Sequence, residues 1–225
     1  VTSPSYDPNM MVGRLRSPNS VKLIGDSINK PMYDRGLKGT YPPGSPFKLV
    51  NALIGLQEDV IDENTHFFCN GGYRYGNRKK EFMKCHCDIY GKPIQLNSAI
   101  SKSCNSYFAN TYKRIIEKDK NSKKGMNNWS THVKSFGLGN YLGYDLPEGD
   151  KGLIPNGDYY SKMYKYRWNA STNISNAIGQ GEVLTTPIQL ANVTAAIANR
   201  GYYYTPHVVK RIKNKAITDS AYTIR

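Results

Sequence analysis

The segment from Tyr41 to Leu56 constrains the fold of this chain more than any other, because it predicts both a turn and the helix that follows. Pro46 suits the first position of a helix, where a missing backbone N–H costs nothing. Apolar residues then recur at helical spacing, at Leu49, Val50, Leu53, Ile54 and Leu56. The pattern predicts a helix with an apolar face, and it places Ser45 at the helix N-terminus.

Ser45 and Lys48 form a candidate nucleophile and base. Residues three apart lie on the same helical face, so the Lys48 amine can approach the Ser45 hydroxyl. A lysine takes a proton from serine only when burial or nearby cations lower its pKa, so this hypothesis requires a buried Lys48. A bare Ser-x-x-Lys also occurs by chance as a helix cap beside a solvated lysine, and the surrounding sequence must decide.

The four cysteines are clustered in one part of the sequence, at Cys69, Cys85, Cys87 and Cys104, with His86 between two of them. Outside the cytoplasm an even number of cysteines suggests two disulfides. The Cys-His-Cys triplet is awkward for that arrangement, because cysteines one residue apart cannot easily pair with each other. A tetrahedral zinc ion would accept four thiolates, or three thiolates and an imidazole. The residues alone leave both arrangements open.

The chain is basic, with a formal net charge of +14, and its charge is concentrated in clusters such as Arg78 to Lys80 and Lys118 to Lys124. Such clusters form solvated faces or bind acidic partners. The 18 tyrosines could stack on nucleic-acid bases, but no nucleic-acid-binding motif occurs, and we expect no nucleic-acid partner. A basic face near an anionic membrane surface fits better. No apolar run is long enough to span a membrane.

The remaining patterns predict a single α+β domain over residues 1–225. Helices are expected within 96–118, around Trp129 up to about Gly137, and from Pro187 to about Asn199. Residues 1–12 and 202–213 are expected to be extended. The stretches 71–90 and 139–166 are expected to be irregular, because glycines and charged residues interrupt any period.

Four segments together resemble the class B penicillin-binding proteins, the bacterial cell-wall transpeptidases. Tyr41 to Lys48 resembles their first active-site motif, with Pro46 where Thr or Ser is usual, and Ile100 to Phe108 resembles the second, Ser-x-Asn. Ala177 to Asn192 matches a Gly-Gln-Gly and Thr-Pro-x-Gln-Leu-Ala segment, and Ser3 to Asn9 is similar to the start of the domain. These matches cover nearly all of the chain in the family's order. The most similar branch is the elongation type, often called penicillin-binding protein two.

The resemblance implies the penicillin-recognising α+β fold, an antiparallel sheet packed on helices with an all-helical lobe. The family's third motif, Lys-(Ser/Thr)-Gly, does not occur in the sequence. We therefore expect a C-terminally incomplete transpeptidase domain, impaired when isolated in this form. By resemblance, the parent enzyme is anchored in the inner membrane with a periplasmic catalytic domain, and both the anchor and an N-terminal pedestal are absent here.

The same resemblance implies a D,D-transpeptidase that cross-links peptidoglycan stem peptides. Ser45 would be the nucleophile, Lys48 the base, Ser103 the proton relay to the leaving amine, and Asn105 an amide that contacts the substrate or the lysine. Ser101 is an alternative second-motif serine, but it lacks an amide two residues later. β-Lactams would acylate Ser45, and a glycan-polymerising membrane protein would be the partner.

Some elongation-type relatives bind zinc beside the second motif, and the resemblance places Cys104 at a ligand position. Cys69 and Cys85 stand where the preceding loop supplies acidic ligands, and Cys87 or His86 stands nearest the family's histidine. We expect structural zinc rather than disulfides, with Cys87 preferred to His86, and no cofactor for catalysis.

Two rival functions remain at this point. One is a D,D-carboxypeptidase, β-lactamase or β-lactam sensor of the same fold, and the other is a non-catalytic interaction module stabilised by zinc. The scattered histidines, His66, His132 and His207, are expected to be structural. Trp129 and Trp168 are expected to be packing residues.

Overall fold

The structure is a computed structural model, and it describes residues 2–146, 149–165, 167–213 and 215–216. By its internal contacts the chain divides into two compact units. The first unit comprises residues 1–41, 141–152 and 185–225, and the second comprises residues 42–140 and 153–184. All the residues of the predicted catalytic and metal sites belong to the second unit.

The helices are α1 (Arg16–Gly25), α2 (Phe47–Gln57), α3 (Leu96–Ser101), α4 (Asn105–Glu117), α5 (Ser122–Ser135), α6 (Gly157–Met163) and α7 (Pro187–Ala198), with short 3-10 helices at Pro8–Met11, Gly13–Leu15 and Ile174–Ile178. The strands are β1 (His66–Asn70), β2 (Gly72–Arg74), β3 (Phe82–Lys84), β4 (Tyr90–Gln95), β5 (Arg211–Ile212) and β6 (Lys215–Ala216). This mixture of helices and antiparallel strands confirms the α+β class. None of the helices in the described ranges is long and apolar enough to cross a membrane.

Within the described residues, the strands form three two-stranded antiparallel sheets. β1 pairs with β4 from His66 opposite Gln95, with an irregularity between Cys69 and Asn70, and β2 pairs with β3 from Gly72 opposite Lys84. The β2–β3 hairpin lies in the stretch predicted to be irregular, so that prediction was wrong there. Three-residue strands are too short to show a period, and this hairpin also packs against α4, which the local sequence cannot reveal.

The predicted helix α2 begins at Phe47, one residue after Pro46, which lies at the cap position. Its buried face includes Val50 and Ile54 but also the polar Lys48 and Asn51. Leu49 and Leu53 are 36% and 40% exposed, so the expected apolar face was only partly right. The buried face is the one that contacts α4, α5 and the 3-10 helix at Ile174–Ile178.

Side-chain caps explain two further differences from the predicted helices. α5 starts at Ser122, well before Trp129, around which a helix was expected, and Asn121 accepts a hydrogen bond from the Lys124 backbone N–H there. α6 lies in a stretch expected to be irregular, and Asn156 caps the Tyr159 backbone N–H. Asparagine satisfies an otherwise unpaired N–H at a helix start, and it stabilises helices whose apolar pattern is weak.

Helix α7 confirms its predicted position. Thr186 accepts a hydrogen bond from the Gln189 backbone N–H, and Gln189 Oε1 accepts one from the Thr186 N–H at 2.9 Å. This reciprocal capping box explains why the helix begins immediately after Thr186.

The core of the second unit has two centres. One surrounds the four cysteines, with Ile94, Leu96 and Phe108 packed around them. The other surrounds Trp129, whose ring contacts Phe47 and Tyr112 edge-on, with ring centroids 6.0 and 5.6 Å away. Helix α4 packs against α2, α5 and β1, so it connects both centres.

Candidate active site

Ser45 lies on a tight turn immediately before α2. Gly44 has φ = 65°, a left-handed conformation that glycine adopts without steric cost, and its N–H donates to the Gly179 carbonyl at 2.8 Å. The Lys48 N–H donates to the Ser45 carbonyl at 3.0 Å, which joins this turn to the first turn of α2. The turn leaves the Ser45 side chain exposed at the start of the helix.

Lys48 is buried, with only 3% of its surface exposed, as the hypothesis of a catalytic base requires. Its ammonium donates to the Ser103 carbonyl at 2.7 Å, to Ser103 Oγ at 2.8 Å and to Asn105 Oδ1 at 2.6 Å. It also lies 5.8 Å from the centroid of the Phe108 ring. Burial lowers the pKa of Lys48 below its usual value, although the sulfur atoms of Cys85, Cys104 and Cys87 oppose this shift.

Ser103 and Asn105 come from the junction between α3 and α4. Ser103 has φ = 50°, a conformation that non-glycine residues rarely adopt, and such strain is concentrated at functional sites. Asn105 is the first residue of α4, and its Nδ2 donates to the Lys84 carbonyl at 2.8 Å. That bond orients its Oδ1 toward Lys48.

Ser103 connects Ser45 with Lys48. Its Oγ lies 3.1 Å from Ser45 Oγ and 2.8 Å from Lys48 Nζ. The sequence pattern suggested a direct approach of Lys48 to Ser45, but no hydrogen bond among the described residues joins these two side chains. The hydroxyl of Ser103 completes the path instead. Ser101 lies outside this chain of hydrogen bonds, because its Oγ donates to the Ser98 carbonyl and its side chain is exposed.

A buried network that the sequence analysis missed supports the turn. Asn51, one turn after Lys48 on α2, donates to the carbonyls of Asn176 and Ala177 at 3.2 and 2.9 Å. Its Oδ1 accepts a hydrogen bond from Trp129 Nε1 at 2.8 Å. These carbonyls lie near the end of the 3-10 helix that leads into Gly179. Asn51 therefore holds the Gly179 carbonyl in place, and that carbonyl accepts the hydrogen bond from the Gly44 N–H. An asparagine within the apolar run of α2 was the signal that could have revealed it.

The four cysteine sulfur atoms all lie within 4.8 Å of one another, and all four residues are buried. The Cys69–Cys87 and Cys85–Cys104 sulfur pairs are 3.5 and 3.7 Å apart. Zn–S bonds of about 2.3 Å in a tetrahedral site imply sulfur–sulfur separations of roughly 3.8 Å, so this donor set fits zinc. His86 is exposed and does not belong to the cluster.

Backbone hydrogen bonds join the cysteine cluster to the second motif. The Asn105 N–H donates to Cys85 Sγ at 3.2 Å, and the Tyr107 N–H donates to Cys104 Sγ at 3.4 Å. The hydrogen bond with Cys104 lowers the pKa of Cys85 to about 3 and raises that of Cys104. Burial raises the pKa of Cys69 to about 11. Cysteine binds a metal ion as the thiolate, and the two backbone N–H donors would stabilise negative charge on Cys85 Sγ and Cys104 Sγ.

The remaining candidates from the sequence analysis have other partners or are exposed. His132 Nε2 lies 2.6 Å from Glu58 Oε1, and His207 Nδ1 lies 2.7 Å from the Thr205 carbonyl. His66 is exposed on β1. Trp129 is fully buried, and Trp168 is partly exposed beside Tyr160.

The chain is similar in sequence to a known protein family over nearly its whole length. A family model described as the penicillin binding protein transpeptidase domain matches residues 1–224. The chain is 33% identical over 210 residues to the peptidoglycan D,D-transpeptidase MrdA of Acinetobacter baumannii, which covers 93% of this chain and 30% of that protein.

The solved structures that are similar in fold include two of PBP2. The PBP2 of Pseudomonas aeruginosa, in complex with WCK 5153, is 32% identical and superimposes with a TM-score of 0.82 over 98% of this chain and 48% of that one. The PBP2 of Helicobacter pylori, in complex with MreC, is 25% identical with a TM-score of 0.80 over 100% of this chain and 38% of that one. The chain thus spans about a third of the length of the curated relatives that it matches.

Proposed function

The chain belongs to the penicillin-binding protein transpeptidase family, and we propose that the natural protein carrying it is an elongation-type peptidoglycan D,D-transpeptidase. The observation that carries this proposal is the buried Lys48 joined through Ser103 to the exposed Ser45 hydroxyl. A nucleophile that substrate can reach, beside a base that solvent cannot, is the arrangement that acyl transfer requires.

In the proposed first step, Ser45 Oγ attacks the carbonyl carbon of the D-Ala-D-Ala bond in a stem peptide. Neutral Lys48 accepts the proton of Ser45 through the Ser103 hydroxyl, because a hydroxyl can accept and donate at once. The C–N bond then breaks, and the same path returns a proton to the leaving D-alanine. An acyl ester on Ser45 remains.

In the proposed second step, an amine from a neighbouring strand attacks the ester carbonyl. The path through Ser103 again takes up the amine's proton and returns one to Ser45 Oγ, which leaves. The products are a new peptide cross-link and the free serine. β-Lactams, whose strained amide resembles D-Ala-D-Ala, would stop the cycle after the first step.

We propose Cys69, Cys85, Cys87 and Cys104 as the ligands of a structural zinc ion. The support is the compact, buried set of four sulfur atoms and the backbone N–H donors that face two of them. When bound, zinc would hold the loop that carries Cys85 and Cys87 against the start of α4. It would take no part in the acyl transfer, for which no cofactor is proposed.

The proposed setting is the periplasmic face of the inner membrane, within the machinery that elongates the cell wall. A glycan-polymerising membrane protein is the proposed partner, because a cross-linking enzyme acts on strands that such a protein makes. The formal charge of +14 is compatible with work near an anionic membrane surface.

The test is the intact mass of the natural protein after incubation with benzylpenicillin, beside the Ser45→Ala variant. We expect one stoichiometric adduct on the unmodified protein and none on the variant. A folded protein that forms no adduct would overturn the proposal and favour the non-catalytic interaction module. Rapid loss of the adduct, or release of D-alanine without cross-linking, would favour a β-lactamase or a D,D-carboxypeptidase.

A further inference from the structure

A groove outside the active site lies in the second unit, between the end of α4, the start of α5 and the segment after α6. It has a volume of about 460 Å³, and an adjoining recess of about 420 Å³ shares Lys120, Ser122, Arg167 and Trp168 with it. Pockets for small ligands have volumes of roughly 300–1,000 Å³. The groove is therefore large enough for a sugar ring with a short peptide.

The groove is strongly basic. Lys120, Lys123 and Arg167 line it, and no carboxylate does. Lys123 is paired with Asp158 at 2.8 Å, but within the described parts of the chain no carboxylate lies within 4 Å of Lys120 or Arg167. The adjoining recess adds one acidic residue, Glu117. Two cations thus remain available for an anionic ligand.

One wall of the groove is aromatic and held in place. Trp168 packs against Tyr160, with ring centroids 5.4 Å apart, and its Nε1 donates to Ser161 Oγ at 3.4 Å. Tyr164 lines the same wall and stacks on Tyr160. An indole that is already fixed loses little conformational freedom when the face of a ring packs against it.

The groove is remote from the reacting atoms. Helix α4 begins at Asn105, which contacts Lys48, and ends at Glu117 beside the groove. At 1.5 Å per residue this helix separates the two places by about 18 Å. A group bound in the groove is too far away to react at Ser45. It can be another part of a long polymeric substrate whose reacting bond lies at Ser45.

We propose that this groove is a second binding subsite for the peptidoglycan strand. It would bind an N-acetylmuramyl unit whose peptide carries free carboxylates. The sugar would pack on Trp168 while the carboxylates pair with Lys120 and Arg167. This inference rests on the proposed function, which supplies a substrate that contains both an amino sugar and carboxylated peptide. One such unit has one sugar ring for the aromatic wall and carboxylates for the two available cations.

The experiment is calorimetric titration of the natural protein carrying Ser45→Ala with N-acetylmuramyl-L-alanyl-D-glutamate. We expect saturable binding that is weakened at least about tenfold by the double change Lys120→Gln and Arg167→Gln, because it removes both cations that the carboxylates would contact. The double change Lys79→Gln and Lys80→Gln removes the same charge from an exposed cluster and is expected to leave the affinity unchanged.

Two further ligands complete the test. The diamide of the same muropeptide has no carboxylate and is expected to bind at least about tenfold more weakly. Inorganic polyphosphate serves as a non-specific polyanion, and its affinity is expected to fall by the same factor in both double variants. The proposal would be overturned if the acid and the diamide bind equally, if both double variants lose the same affinity for the muropeptide acid, or if the acid does not bind at all.

The proposed function is measured separately, on protein in which Ser45 is intact. Benzylpenicillin should acylate the Lys120→Gln, Arg167→Gln double variant with Ser45 intact as fast as the unmodified protein. An adduct without muropeptide binding would refute the groove alone. Absence of the adduct from the unmodified protein would refute the proposed function.

Discussion

At the scale of single residues, Ser103 has the most demanding position in the proposed site. It combines a left-handed backbone with a hydroxyl that lies within hydrogen-bond distance of both Ser45 and Lys48. Its carbonyl also accepts from Lys48. One residue therefore holds the lysine and completes the proton path, and these two contributions can be separated by removing only its hydroxyl.

We predict that Ser103→Ala slows acylation by benzylpenicillin by about 10²- to 10⁴-fold, the usual contribution of a positioned proton-transfer group. The Lys48 contact with the carbonyl of residue 103 is retained, so the fold should be preserved. The measurement is the acylation rate by stopped-flow or quench mass analysis. Ser101→Ala is the matched control. A larger loss of rate in Ser101→Ala than in Ser103→Ala would show that Ser103 is not the proton relay.

The pH dependence of acylation tests the role of Lys48. Only the neutral amine can accept a proton, so the rate should increase as pH rises through the pKa of Lys48. Because burial lowers this pKa, the midpoint should lie below the ordinary lysine value of 10.5. The second-order rate constant with benzylpenicillin measures it from pH 5 to 10. A rate that is independent of pH over that range, in folded protein, would contradict Lys48 as the base.

At the scale of elements, the approach of the Gly179 turn to the start of α2 fixes the nucleophile. Gly179 has φ = 66°, and a Cβ atom there would lie 2.6 Å from the Phe47 Cβ and even closer to the Gly44 carbonyl. Both neighbours belong to the segment that carries Ser45. The segment and the turn must therefore move apart if any side chain is introduced.

We predict that Gly179→Ala reduces the acylation rate by at least about tenfold and lowers the thermal midpoint, because it combines a clash with an unfavourable φ. Gly91→Ala is the matched control, since Gly91 also has φ = 66° but no atom lies within 4 Å of the added Cβ. It should share the conformational cost and leave acylation intact. Equal acylation by both variants would refute the positional argument.

Glu58 connects the ends of three helices. It follows α2, its Oε2 accepts from Lys118 Nζ at 2.9 Å just beyond α4, and its Oε1 lies 2.6 Å from His132 Nε2 on α5. Hydrogen bonds from Lys118 and then His132 lower the pKa of Glu58 below its usual value. A carboxyl with a lowered pKa stabilises the fold above its unfolded-state pKa, and this stabilisation disappears as pH falls through the folded-state pKa.

We predict that Glu58→Gln lowers the free energy of unfolding at pH 7 by about 1 kcal/mol or less, because solvent partly screens these contacts. The difference from the unmodified protein should shrink as the pH is lowered below 4.5, the ordinary value for glutamate. Urea denaturation at several pH values measures it. Glu117→Gln, whose partner Lys113 lies 3.9 Å away, should have a smaller effect. A difference that grows at low pH would contradict the assignment.

At the scale of the whole molecule, the cysteine cluster joins the stability of the second unit to its proposed chemistry. The cluster is part of the core, and the backbone of Asn105 donates to one of its sulfur atoms while the side chain of Asn105 contacts Lys48. Loss of the proposed metal should therefore disturb both the fold and the site.

We predict one zinc ion per chain, whose removal by a chelator lowers the thermal midpoint and slows acylation, with both restored by added zinc. Elemental analysis and thermal unfolding measure these effects. Cys87→Ser should lose zinc, whereas His86→Ala should retain it, because His86 is exposed. Two disulfides in intact protein that contains no metal would refute the zinc site.

The sequence by itself predicted the parts of this protein that depend on neighbouring residues. The turn before α2 and the capping box of α7 arise from contacts within a few residues, and both were recognisable as local patterns. The family resemblance followed from four such segments in a fixed order and led to the same α+β class that the structure has. The cysteines could be counted, but their spacing left disulfides and zinc open.

Only the tertiary structure decided how distant residues meet. Ser103 and Ser45 are 58 residues apart, and Asn51 contacts carbonyls 125 and 126 residues away. The β2–β3 hairpin packs on α4, a contact equally invisible in its own sequence. Local patterns constrain backbone conformation within a helix or a turn, whereas contacts over such separations depend on which surfaces pack together to bury the core.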